Sequence, residues 1–246
     1  PTELVLLKIA RDEHGRARLE NEWKALEQLN ARSPEAAQKF TAQIPQPVLH
    51  GAMDGGAFSG RWLSVFRRAS GFKHTFAAVR QAYPQGIEPR ASIWVWRRML
   101  EILALLHQAG LAHGGLTPEN LLVQTGEHGV RLVGFGSAGD LESPWAGLPA
   151  EAADFAPQPA KNWQRLSLAL DIVMSARCVA ALLGGRPDGS GLPGQVPPAL
   201  ARLVAETAAA PAPAGMDAWN LRTRLGELAG TLYGAPQFIP IRMPDD

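Results

Sequence analysis

His113-Gly114-Gly115-Leu116-Thr117-Pro118-Glu119-Asn120-Leu121-Leu122-Val123 is followed, after a turn, by Val130-Arg131-Leu132-Val133-Gly134-Phe135-Gly136. Two strand-like runs, Asn120 to Gln124 and Val130 to Val133, flank Gly126-Glu127-His128-Gly129, which reads as a hairpin turn. Upstream, Pro89 to Ala109 predicts a helix that delivers the chain to His113. Pro89 suits its first turn, and Gly110 stops it. Ile93, Trp96, Leu100, Leu103 and Leu106 form its apolar stripe, so Trp94, Trp96 and Met99 read as core rather than as a ligand-stacking box.

Downstream, Gly134 to about Lys161 has little periodicity and many Pro, Gly and Ala residues, as a long loop does. Trp163 to Leu183 is apolar nearly all round, which predicts a helix buried on most sides. Arg165, Asp171 and Arg177 within it, and Gly184-Gly185 after it, argue against a membrane span. Asp171 must be paired, because an unpaired buried carboxylate is costly. Pro187 to Pro197 is a loop, and Pro198 to Ala209 and Asp217 to Tyr233 predict two more amphipathic helices.

At the other end, Glu3 to Ile9 reads as a buried strand with one interior lysine, Lys8. Arg16 to Asn30 predicts a helix, with Leu19, Trp23, Leu26 and Leu29 at helical spacing. Strand-like runs Gln46 to Ala52 and Arg61 to Arg67 enclose Asp54-Gly55-Gly56, read as a plain turn. A short helix follows from about Thr75 to Ala82. The class is α+β.

Composition sets limits. The 246 residues are 46% hydrophobic and 19% charged, enough for a sizeable core. A net charge of +1 draws in neither nucleic acid nor an anionic membrane, and no run approaches a membrane span. Cys178 is the only cysteine, which fits a reducing compartment, and it reads as a buried inert thiol. The expected location is cytoplasmic.

The stretch 113–136 resembles the catalytic loop and metal-binding loop of the protein kinase family, H-R-D-L-x-x-x-N and D-F-G. His113, Leu116 and Asn120 stand at the family spacing, and Phe135-Gly136 follow one hairpin later. Gly115 stands where the family has its catalytic-base aspartate, and Gly134 where it has its magnesium-binding aspartate. His113-Gly114 also fits the aminoglycoside-type phosphotransferases, which need the same aspartates. The resemblance implies a two-lobed kinase-like fold. Residues 1–71 would be a small strand-rich lobe and hinge, without the first two strands and glycine-rich loop. Residues 72–233 would be a mainly helical lobe, and 234–246 a tail.

The resemblance also assigns roles. Lys8 matches the lysine that holds nucleotide phosphates and Glu22 the helix glutamate that pairs with it, Arg67 and Ala69 fall on the hinge, and Asn120 keeps one metal position. His113, Phe135 and Asp171 are packing pieces, the last accepting backbone hydrogen bonds near the loop. Phe155-Ala156-Pro157-Gln158 resembles A-P-E with glutamine for glutamate, and the arginine that would pair with that glutamate has no match near Ala214-Gly215-Met216-Asp217. The implied function is that of a pseudokinase, similar to bacterial serine/threonine kinases. It would bind or regulate another protein, with ATP weakly held or absent and no magnesium. The alternative is an atypical active serine/threonine kinase or other ATP-dependent phosphotransferase, with Asp140 or Glu119 as substitute acid.

Overall fold

Asp12 sets the first boundary. Its carboxylate accepts from the amide of Gly15 at 2.7 Å and caps helix α1, Glu13–Arg32, a turn earlier than apolar spacing alone suggests. The structure, a computed structural model, describes residues 4–127, 129–209 and 217–244. Strand β1, Val5–Ile9, precedes α1, and a short helix α2, Pro34–Lys39, follows it. Strands β2, Gln46–Ala52, and β3, Trp62–Arg67, complete an antiparallel sheet in the order β1-β3-β2. The register pairs Leu6 with Phe66 and Lys8 with Ser64, and His50 also pairs with Ser64, so these side chains share one face. Helix α1 covers that face at Phe66 and His50, with Trp23 stacked on His50 at 4.1 Å between ring centroids. Leu6 is half exposed, and β1 is not the buried strand its apolar run predicts. On the other face Val5, Leu7 and Leu49 are exposed.

Strand β4, His74–Thr75, leads into α3, Phe76–Ala82, which the Thr75 hydroxyl caps. Helix α4, Pro89–Gln108, carries the expected stripe, and Ile93, Trp96, Leu100, Leu103 and Leu106 are all buried. It ends at Gln108, Gly110 follows its cap with φ +73°, and β5, Leu111–Ala112, runs into the 113–120 loop. Strands β6, Leu121–Gln124, and β7, Gly129–Leu132, form the hairpin, with β4 on the outer side of β6. His128 of its turn lies outside the described residues. Strand β8, Gly139–Asp140, pairs with β5 and so returns the following loop to the start of the 113–120 segment.

Helix α5, Leu168–Leu182, is buried from Leu170 to Leu182 and packs against α3, α4 and α6, Pro198–Ala208. Helix α7, Ala218–Tyr233, packs on α4. The apolar run at Trp163 becomes helical only at Leu168. Ser167 caps there, accepting from the Leu170 amide, while 164–166 are extended and bond to 142–145 instead. Cys178 is buried in α5, and burial pushes its thiol up, away from reactivity. The architecture is α+β with small antiparallel sheets. Among the described residues, no helix is long and apolar enough to cross a membrane.

Candidate functional site

The segment 113–120 is irregular, so its backbone groups need partners from outside the local ladder. Asp171, fully buried on the first turn of α5, supplies them. Its Oδ2 accepts from the His113 amide at 2.8 Å, and its Oδ1 from the Gly114 amide at 2.9 Å. His107 Nε2, at the end of α4, lies 3.1 Å from Oδ2. One carboxylate thus fixes the loop to two helices.

The buried His113 ring is held on both nitrogens. Nε2 donates to the Val133 carbonyl (3.1 Å), and Nδ1 accepts from the Gly115 amide (3.2 Å). That pattern fixes the neutral tautomer. Burial lowers the imidazole below the ordinary histidine range, with Asp171 and the Val133 carbonyl opposing in part. Phe135 stands edge-on to the ring at 4.7 Å.

Glycine is required at two points of this assembly. Gly114 has φ +63°, and a side chain there would meet Leu166 and Ser137. Trp145 closes over it, its indole N–H donating to the Gly114 carbonyl at 2.7 Å. Gly134 has φ +77°, and a Cβ would stand 2.3 Å from Asn120 Oδ1. Asn120 turns its amide nitrogen to the Gly115 carbonyl at 2.8 Å. Gly115 itself has room: the nearest atoms to a Cβ would be 3.5 Å away.

From the other side, α1 grips the turn after Gly134. Asn21 donates to the carbonyls of Gly136 and Ala138, and Glu22 Oε1 accepts from the Phe135 amide at 3.1 Å. Both Glu22 oxygens lie 2.8 Å from Lys8 Nζ on β1. The carboxylate is 3% exposed and the lysine side chain 29%. Lys8, Glu22 and Phe135 therefore form one unit, and His113, Phe135 and Asp171 another. Asn120 stands between the two glycines, 115 and 134.

Between the β1-β3-β2 sheet and the β6–β7 hairpin lies a cavity of about 290 Å³. Leu6, Lys8 and Phe66 line it from the sheet, Leu122, Arg131 and Val133 from the hairpin. Arg67 and Ala69 form part of its wall, and Glu119 stands at its rim. Asp140 is elsewhere engaged, 2.7 Å from Arg32.

No family model matches the chain, and no curated protein matches it. The site must therefore be read from its own residues. Among those described, no group of three or more His, Cys, Asp or Glu side chains is placed to hold a metal ion. Sequence reading missed Trp145, which lies in an aperiodic segment, and Arg131, which sits in a short apolar strand. It also noticed Arg177 only as a charge. Buried in α5, Arg177 donates to the carbonyls of Asp154, Ala156 and Ala208 and so ties down the far end of the loop that begins at Gly134. Of the stretch where a matching arginine was sought, 214–216 lie outside the described residues.

Proposed function

We propose that the chain is a kinase-like, two-lobed pseudokinase that works by binding another protein and not by phosphoryl transfer. The observation that carries this reading is the arrangement around Asn120. The two positions that would need carboxylates are glycines, and the space beside Gly134 is filled by the Asn120 amide, itself committed to the Gly115 carbonyl. Phosphoryl transfer depends on positioned charge, with one carboxylate for the acceptor hydroxyl and another for magnesium. Asparagine alone is a poor ligand set for that hard cation. The residues present do not fit a bound magnesium ion.

The packing positions support the same reading. Asp171 on the loop amides, His113 against Phe135, and Lys8 on Glu22 are the contacts the family resemblance implies. A chain that keeps its scaffold while lacking reacting groups still offers surfaces. The segment 134–161 is anchored by Trp145 and Arg177 and exposes Ala146, Pro149 and Glu151 between those anchors.

Two measurements test the proposal. Incubation with radiolabelled ATP, with magnesium or manganese, should transfer no label to the chain or to an added protein acceptor. Turnover that survives purification and disappears on Glu119→Gln would replace this reading with the transferase one, since Glu119 is the carboxylate at the cavity rim. For the binding half, substituting Ala146, Pro149 and Glu151 while keeping Trp145 and Phe155 should abolish capture of an identified partner without changing the melting temperature. Undiminished capture would put the surface elsewhere.

A further inference from the structure

The cavity between sheet and hairpin continues past Arg67, Arg68, Ala69 and Arg131 into a second, open hollow of about 700 Å³, lined in addition by Thr41, Gln46 and Ser70. The two share that wall. Their charge is unevenly placed. At the β1 end, Lys8 is neutralised by Glu22. At the shared wall Arg131 is 6% exposed, yet its only hydrogen bond among the described residues is Nη1 to the carbonyl of Ala42. Among the described residues no carboxylate pairs with it, and its remaining N–H groups are not closed off. Arg68 adds a second, exposed guanidinium to the same wall. No acidic residue lines the second hollow among the described residues.

An unpaired buried guanidinium is poorly solvated, and an anion beside it recovers much of that loss. Burial alone lowers Arg131 to about 10, the direction expected of a cation with no counter-charge. The near part of the cavity offers mainly apolar surface, from Leu6, Phe66, Leu122 and Val133, with the Glu119 carboxylate also in its lining. We infer that this cavity binds a small amphipathic anion, a flat apolar body under the sheet with its carboxylate, sulfonate or phosphate at Arg131 and Arg68. Arg131 and Arg68 carry the charge, whereas Lys8 is already neutralised by Glu22, and the site needs no metal. The inference uses only the cavity walls, so it stands or falls apart from the pseudokinase reading.

The test uses two fluorescent dyes, 8-anilinonaphthalene-1-sulfonate and its uncharged relative N-phenyl-1-naphthylamine, titrated at neutral pH and low salt. The sulfonate dye should bind the unmodified chain more tightly than the uncharged one. Arg131→Gln and Arg68→Gln should each weaken the sulfonate dye about tenfold and leave the uncharged dye unchanged. Arg186→Gln, a distant exposed arginine, should alter neither. Should Arg131→Gln fail to fold, the exposed Arg68→Gln decides. Unchanged sulfonate affinity in Arg68→Gln, equal loss of both dyes, or the same loss in Arg186→Gln would each overturn the inference.

Discussion

Asn120 occupies the space into which any side chain at Gly134 would have to grow: Oδ1 would lie 2.3 Å from its Cβ. The glycine is therefore held by geometry on two counts, the left-handed φ of +77° and the neighbouring amide. Gly115, five residues before Asn120, carries neither constraint. The two glycines look alike in the sequence and are unlike in the fold.

Restoring side chains separates them. Gly115→Ala should change unfolding free energy by less than about 1 kcal/mol. Gly134→Ala should cost about 2 kcal/mol or more, from the left-handed backbone and the clash together. Adding Asn120→Gly to Gly134→Ala should return part of that loss, a coupling visible in a double-mutant cycle by urea denaturation. Additive losses would contradict the contact.

Asp171→Ala should cost about 3–5 kcal/mol, because two buried loop amides and His107 lose their acceptor at once. Asp171→Asn should recover little, since its NH2 group would face an amide donor. The readout is the urea midpoint at constant slope.

The Lys8–Glu22 pair should respond asymmetrically. Lys8→Ala strands a carboxylate that is 3% exposed and should cost about 3–5 kcal/mol. Glu22→Ala frees a lysine that already reaches solvent and leaves the Phe135 amide unsatisfied, about 1–3 kcal/mol. Equal losses would mean the carboxylate finds another partner.

His113 should make stability depend on acidity. Desolvation holds it below the histidine value, so the unfolded chain takes up a proton near pH 6.5 that the native chain refuses. Its contribution is fully present above that pH and is lost as pH falls through it, by up to about 1.4 kcal/mol per pH unit. His113→Gln should lower stability at pH 8 and show a shallower decline between pH 6.5 and 5 than the unmodified chain.

Periodicity made the long helices legible. The stripe of α4 and the all-round apolarity of α5 left few alternatives, and the boundary errors fall where a cap decides, at Asp12 and Ser167. The resemblance pointed to Lys8, Glu22 and Asp171, whose partners lie 14 to 113 residues away and leave no local trace. Helix α2 escaped because six residues carry too little pattern. Trp145, Arg131 and Arg177 escaped for another reason. Each bonds to backbone carbonyls, and a carbonyl has no signature in the sequence.

Strand β1 pairs on one side alone among the described residues. The Leu4 carbonyl accepts from the Arg68 amide, and the Ala10 amide donates to the Trp62 carbonyl. Antiparallel alternation then turns the backbone groups of Leu6 and Lys8 inward to β3 and those of Val5, Leu7 and Ile9 outward. One short strand thus keeps two clocks. In deuterated water Val5, Leu7 and Ile9 exchange their amide hydrogens as a loop does, while Leu6 and Lys8 wait for the sheet to open.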